Sequence, residues 1–233
     1  MTLHPKTLIP MPLSMETTKL KQIAIFGAGG FGKEIACVIN KINEVKSTWK
    51  LIGFFDDGIQ HDTNVSHFGK ILGNTEDLNN WKEEISIVFA IGNPRIIEKI
   101  VNSINNEFVL FPNLIHPDVF FADNTSFKIG KGNVIVRGCT FSVDVEVGDF
   151  NQFNSLSALS HDVCVGSFNV FMPLTRVSGE VRIGDFNAFG IGTIILQCIK
   201  IGNRVRVAPS SVVYTKTKDN CLYMGNPAKR TIL

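Results

Sequence analysis

Among five histidines, His161 stands between a serine and a carboxylate in Ser160-His161-Asp162. An imidazole beside a carboxylate is suited to taking up a proton at neutral pH, because the acid can orient the ring and stabilise the charge it acquires. The bland alternative is a solvated surface histidine. His4, His61, His67 and His116 fall outside the repeating part of the chain described below. The five cysteines, Cys37, Cys139, Cys164, Cys198 and Cys221, show no CxxC or other metal-ligand spacing, and an odd number makes a poor disulfide framework. No metal is expected.

The elements that must position His161 are written in a strict rhythm. From Ile129 to Val213 every sixth residue is Ile, Val, Leu or Phe, at fifteen consecutive positions without an insertion. Gly130, Gly148, Gly166, Gly184 and Gly202 follow such residues at intervals of eighteen. A strand alternates every second residue and a helix every 3.6, so neither explains sixes. A hexapeptide period predicts a parallel β-helix whose three-sided coil takes eighteen residues. Four residues after each apolar position, like again falls on like. One column reads Asn133, Asn151, Asn169, Asn187, a second Cys139, Ser157, Thr175, Thr193, Ser211, and a third Val145, Val163, Val181, Ile199. Stacked asparagines can bond along their own column and so remain satisfied when buried.

Residues eighteen apart lie one strand spacing, about 4.8 Å, above one another. That arithmetic gives a column Val143, His161, Gly179, Gln197 and beside it Asp144, Asp162, Glu180. Gly179 above the histidine leaves room for a bulky reactant and offers an N–H to a developing oxyanion. The carboxylates can orient His161 or attract a cationic reactant, or they form a solvated polar edge. Arg182, Lys200 and Lys218 read as a basic ladder suited to phosphates. Phe150, Phe168 and Phe186 form an outward aromatic column, which suggests an oligomer contact; cover by the tail or the N-terminal domain is the competing explanation.

Upstream, Gln22–Phe26 reads as a strand running into Gly27-Ala28-Gly29-Gly30-Phe31-Gly32, followed by helical spacing over Lys33–Asn43. Glycines let backbone approach a phosphate at a helix N-terminus. A second strand, Leu51–Phe55, ends in Asp56-Asp57, where a carboxylate can take a ribose hydroxyl or a base edge. A third, Ile85–Ile91, precedes Gly92-Asn93-Pro94-Arg95 and a helix to about Ile104, and a short strand is expected near Phe108–Phe111. A tight turn without ligand is the plain alternative for the glycines. About ninety residues precede the coils, room for one mononucleotide-binding half of a doubly wound fold. A nucleotide or nucleotide-sugar site fits that length better than a dinucleotide.

The resulting organisation is a flexible tail at 1–20, a Rossmann-like α/β domain at 21–112, a β-helix at 113–217 and a C-terminal segment at 218–233. Met15 is an alternative start. With 44% hydrophobic residues and a net charge of +2, the chain gives no signal for a nucleic-acid partner. Neither a membrane span nor a signal peptide is evident, which makes the cytoplasm the expected location.

The glycine loop with Lys33, Phe55-Asp56-Asp57, Ile115-His116-Pro117, the hexapeptide coils, Ser160-His161-Asp162 and Gly225-Asn226-Pro227-Ala228-Lys229 together resemble the NeuD/PglD-type sugar acetyltransferases. The likeness covers about residues 21–233. It implies a left-handed β-helix, a homotrimer with active sites between subunits, and acetyl-CoA as co-substrate along the coils. By the same resemblance a nucleotide sugar is held by the N-terminal domain, through Gly27, Gly29, Gly30, Phe31, Gly32, Asp56 and Asp57. His161 is then the general base, Asp162 its orienting acid and Gly179 the donor to the thioester carbonyl. Gly179, Gln197, Arg182, Lys200 and Lys229 are the expected cofactor contacts. Two departures stand out: Phe31 occupies the place of the family's loop histidine, and Ala208-Pro209-Ser210 that of a Gly-Ala-Gly stretch.

The expected reaction is direct N-acetylation of a nucleotide-linked amino sugar, such as a UDP-4-amino-4,6-dideoxyhexose, in surface-glycan or glycoprotein biosynthesis. O-acetylation of sialic acid or a polysaccharide unit is the alternative, and a non-catalytic β-helix scaffold a third. A metal-dependent β-helix hydratase needs several histidines converging across coils, where only His161 is available. A fused nucleotidyltransferase needs a larger N-terminal domain.

Overall fold

The computed structural model describes residues 20–231, so the expected tail up to Lys19, Met15 included, lies outside the described residues. The chain folds into an α/β domain followed by a parallel β-helix. The N-terminal domain runs β1 (Lys21–Phe26), α1 (Gly30–Val45), β2 (Trp49–Phe55), β3 (Ile71–Gly73), α2 (Thr75–Asn79), β4 (Ile85–Phe89), α3 (Pro94–Ser103) and β5 (Val109–Leu110). Its sheet is parallel in the order β3-β2-β1-β4-β5. The order reverses between β1 and β4, and the crevice beyond the carboxyl ends of those strands is where such sheets take ligands.

Two differences from the sequence reading occur here. The first helix starts inside the glycine motif, at Gly30, because Gly29 is already its N-cap. β3 and α2 were not anticipated: β3 spans only three residues, too few for a period to show. α2 opens with a reciprocal capping box between Asn74 and Asp77.

The β-helix has three faces of two-residue parallel strands. The first face runs upward from Leu114–Ile115, the second from Phe120–Phe121 and the third from Lys128–Ile129. Every pairing from Thr140↔Ala158 to Ile194↔Val212 is offset by eighteen residues. Inward positions carry the apolar repeat, with Phe153, Phe171 and Phe189 stacked at centroid distances of 4.5 and 4.9 Å. The buried asparagines bond along their column: Asn151 Nδ2 and N–H both donate to Asn133 Oδ1, at 3.0 and 2.8 Å, and the pattern repeats to Asn187. Cys139 in the next column is buried, and loss of solvation pushes its thiol up to about 12, which makes it an inert core residue.

Each hexapeptide turns through one residue of positive φ, and most are not glycine: Asp144, Phe150, Leu156, Asp162, Phe168, Leu174, Glu180, Phe186, Cys198, Arg204 and Ser210. A side chain in this region costs of order 1 kcal/mol or more, so the coil supports a repeated local strain through its stacking.

The N-terminal domain docks on the first face. Leu114, Val134 and Val136 complete one of its cores, with Ile35 and Ile39 of α1, and Phe150 and Val170 complete the other. The aromatic column is therefore not a free stripe awaiting another copy. Phe150 stands 6.0 Å from Phe89 and 5.3 Å from Phe111 between ring centroids, and Phe168 stacks above it at 5.1 Å. The competing explanation, cover by the N-terminal domain, is what occurs.

The last coil departs from the period. Arg206 pairs with Leu222, sixteen residues on, and Asn203 N–H bonds Asp219 Oδ1, again sixteen on. Lys218 consequently lies over Gly202 rather than Lys200, and the basic ladder has only the rungs Arg182 and Lys200. Below them the same column reads Lys128, Glu146 and Cys164, with Lys128 paired to Glu146 at 2.6 Å. The chain closes with an antiparallel hairpin, Leu222–Gly225 and Ala228–Thr231, that extends the first face. Among the described residues no helix is long and apolar enough to cross a membrane.

Candidate active site

His161 sits at the corner between the second and third faces, after the inward Leu159 and before the inward Val163. Its side chain is 47% exposed, and Nδ1 lies 2.8 Å from Asp162 Oδ2. Ionised Asp162 can only accept, so the proton of a neutral ring belongs on Nδ1 and Nε2 keeps a lone pair. The residue one coil above is Gly179. A Cβ added there would fall 2.5 Å from both Cε1 and Nε2, so the ring's reactive edge lies directly against this glycine. Gly179 does not have a positive φ. The need for glycine is therefore space beside the imidazole and not backbone conformation.

The N–H groups at this corner contrast with those at one neighbouring corner and resemble those at the other, between the first and second faces, where the N–H groups of Arg137, Ser155 and Ile191 are likewise unbonded among the described residues. At the corner between the third and first faces, each equivalent N–H is bonded by a side chain from the coil above: Lys131 by Asp149, Asp149 by Ser167, Ser167 by Asp185 and Asp185 by Asn203, at 2.7 to 3.0 Å. At the His161 corner the corresponding ladder is missing. Neither His161 N–H nor Gly179 N–H donates to any group among the described residues. Gln197, above Gly179, turns its amide to Glu180 instead, with Nε2 donating to Oε1 at 2.9 Å. The Glu180 pair was not foreseen from the columns, because the seventeen-residue offset crosses from one column to the next. Loss of solvation, with the Glu180 carboxylate adding to it, raises the thiol of neighbouring Cys198.

Of the expected cofactor contacts, Gln197, Arg182 and Lys200 lie on the coils just above the histidine; Arg182 and Lys200 pair in register on the third face, both exposed. Lys229 is not brought near them. It lies in the terminal hairpin on the first face, four to five strand spacings above the His161 coil, roughly 19–24 Å along the axis.

The glycine loop occupies the crevice at the switch point. A cavity of about 200 Å³ there is lined by Gly27, Asp56, Asp57 and Gly58, with Ile91 and Ile96 closing its apolar side. Those isoleucines were missed, since apolar residues after a strand look like core. Gly27 and Gly32 are structural: Gly27 has φ +107° and Ala90 O 2.7 Å from an added Cβ, and a Cβ on Gly32 would meet Gly27 O. Gly29 and Gly30 face open space, where absence of a side chain admits a ligand to the backbone. Asp56 already braces the loop, accepting from Ala28 N–H and Gly58 N–H at 2.9 Å each. Asp57 accepts from the Thr75 N–H and hydroxyl, both at 2.8 Å. Phe31 turns inward onto the α1 core and offers no polar contact.

Comparison with known proteins follows this division. Residues 22–104 match the PglD N-terminal domain family. No curated protein sequence matches the chain. Among solved structures, the acetyltransferase domain of PglB from Neisseria gonorrhoeae FA1090 superposes with a TM-score of 0.81 at 28% identity, over 91% of this chain and 100% of that one. The same domain has been solved with acetyl coenzyme A. WeeI from Acinetobacter baumannii AYE gives a TM-score of 0.81 at 24% identity, over 91% of this chain and 100% of that one. PerB from Caulobacter crescentus, solved with CoA and GDP-perosamine, gives 0.78 at 22%, over 90% and 97%. At these two lower identities the likeness speaks to the fold. Residues 22–104 thus form a domain of the PglD N-terminal family, and over nine-tenths of its length the chain is similar to an acetyltransferase domain in which such a unit is joined to a β-helix.

Proposed function

We propose that the protein transfers an acetyl group from acetyl-CoA to the amine of a nucleotide-linked amino sugar, with a UDP-4-amino-4,6-dideoxyhexose as the expected acceptor, in surface-glycan or glycoprotein biosynthesis. The observation that carries this reading is a histidine whose Nδ1 is held by Asp162 and whose Nε2 edge lies against Gly179, a residue whose N–H is unbonded among the described residues. A base and an oxyanion donor at one exposed corner are what acyl transfer to an amine requires.

An ammonium has no lone pair, so the acceptor first loses a proton to water. As its nitrogen attacks the thioester carbon, His161 Nε2 takes the second proton. Charge that accumulates on the carbonyl oxygen is met by Gly179 N–H, and Asp162 stabilises the imidazolium. Collapse breaks the C–S bond, the proton on Nε2 passes to the departing thiolate, and the amide is left on the sugar. Glu180, held by Gln197, places a negative charge one coil above Asp162 and favours a cationic acceptor over a hydroxyl. The acceptor's nucleotide belongs in the crevice of Asp56 and Asp57, where both carboxylates retain accepting capacity, with phosphate over Gly29 and Gly30.

We also read the active form as a homotrimer with each site completed by a neighbouring subunit. Phe120 and Ile194 are exposed on the second face, and Leu156 and Leu174 on the corner next to it, where a second copy would cover them. Light scattering should return three copies; a monomer at working concentration is the contrary result. A cytoplasmic location agrees with five free cysteines.

The decisive assay is thiol release from acetyl-CoA against a panel of UDP-amino sugars and sialic acids. Turnover confined to hydroxyl acceptors would reverse the choice of amine. His161→Ala should lower kcat by about 100-fold or more, as loss of a general base does, with the melting temperature unchanged. Near-normal turnover of that variant would remove His161 from the mechanism.

A further inference from the structure

The N-terminal domain covers only the lower coils of the first face. Outward residues of that face read Val134, Gln152, Val170, Ala188 and Arg206 going up, and the first three are fully or almost fully buried beneath the domain. The adjoining corner reads Phe150, Phe168, Phe186 and Arg204. Both columns turn from apolar to arginine on the same coil, where the domain's edge overhangs an uncovered surface. A cavity of about 440 Å³ lies under that edge, between Arg204 and Arg206 on one wall and the Gly92–Arg95 segment on the other.

The lining residues include three arginines and no carboxylate. Arg204 lies 4.6 Å over the Phe186 ring and has Glu98 at a distant 3.9 Å. Arg95 and Arg206 pair with no carboxylate among the described residues. This concentration is local, since the whole chain carries a net charge of only +2. The start of α3 adds little to it: Asn93 Oδ1 already accepts from Arg95 N–H, Asn93 O from Ile96 N–H, and Pro94 has no N–H. The guanidiniums supply the field, and three of them converging in a concavity favour a polyanion with bidentate acceptors.

We propose that this cavity binds the phosphate groups of a nucleotide-sized ligand. Its volume exceeds what one phosphate fills and lies in the range of small-molecule sites. It is distinct from the crevice lined by Asp56 and Asp57, which holds carboxylates and no cation, yet Ile91 and Ile96 of that crevice flank the Gly92–Arg95 wall. One segment thus separates a carboxylate-lined cavity from an arginine-lined one. A diphosphate reaches this site from one of two sources, the sugar-nucleotide acceptor itself or a separate phosphorylated ligand. The inference stands independently of acetyl transfer.

The test is calorimetric titration of the full chain with inorganic pyrophosphate at low salt. One site per chain is expected, weakened at least tenfold by Arg206→Ser and by Arg95→Ser, since each removes charge-assisted hydrogen bonds to the anion. Lys82→Ser, an exposed cation elsewhere, should leave binding unchanged. No binding, or equal binding by all variants, overturns the proposal. Steady-state kinetics then identifies the source: Arg206→Ser raises the acceptor KM at constant kcat if the acceptor's own diphosphate occupies the cavity, and leaves KM unchanged if the ligand is separate. Pyrophosphate binding requires no turnover, so absence of acetyl transfer would leave this result readable.

Discussion

Two corners of the β-helix share one backbone and differ in what their side chains do with it. At the corner between the third and first faces, the residue before each positive-φ position lends its side chain to the N–H of the coil beneath, and an asparagine column runs inside. Polar groups there are consumed by the fold. At the corner between the second and third faces, the corresponding residues are Val143, His161, Gly179 and Gln197, the inner column is aliphatic, and the N–H of Gly179 is left over. The difference teaches that only one corner of this repeat seals its N–H groups with side chains; Arg137, Ser155 and Ile191 at the remaining corner are unbonded as well, so what sets the His161 corner apart is an imidazole lying against a glycine.

Substitution can sharpen the contrast from both sides. The largest expected effect is at Gly179→Ala, where the new methyl meets the imidazole edge at 2.5 Å. Turnover should fall ten- to 100-fold while the melting temperature barely moves, because the backbone suits any residue; a large loss of stability instead would erase the distinction between the corners. Asn151→Leu should do the reverse. It leaves the Asn169 N–H without its acceptor in the buried column, at a cost of about 1–3 kcal/mol, and kcat of the folded enzyme should be unchanged. Gly130→Ala belongs with it: the methyl collides with the Asp149 carboxylate and lies 2.9 Å from the Gly148 backbone, so about 1–2 kcal/mol of stability should be lost in thermal melts, again without effect on turnover. The smallest effect is expected at Gln152→Met. Both polar atoms of the Gln152 side chain are buried without a partner under the N-terminal domain, and their removal should raise stability by up to about 1 kcal/mol. A drop in melting temperature there would point to an ordered water between the domains.

The sequence rhythm made much of this legible, and its failures have physical reasons. Eighteen-residue arithmetic placed Gly179 against His161 because no residue is inserted between Ile129 and Val213. It failed for Lys218, since the next inward position would have been Asp219 and the rhythm had already stopped. The outward direction of Phe150 was readable, but what covers it was not: Phe89 and Phe111 reach it by tertiary packing that no local period records. The unbonded Gly179 N–H depends on which way the Gln197 amide turns, a choice between two neighbours that only coordinates reveal. The arginine cavity could have been suspected from the change of Phe186 and Ala188 to Arg204 and Arg206 one coil on, although its second wall, Gly92–Arg95, comes from a loop far earlier in the chain.

The shortened last coil has a further consequence. A parallel β-helix offers open strand edges at its end, a template on which another molecule can stack and continue, and repetition of that event makes a fibre. Here the eighteen-residue step breaks to sixteen, and the first face is closed by the antiparallel strand Ala228–Thr231. An incoming coil would find the wrong step and, on that face, the wrong strand direction. Deletion of the hairpin should therefore turn a discrete enzyme into a self-polymerising one.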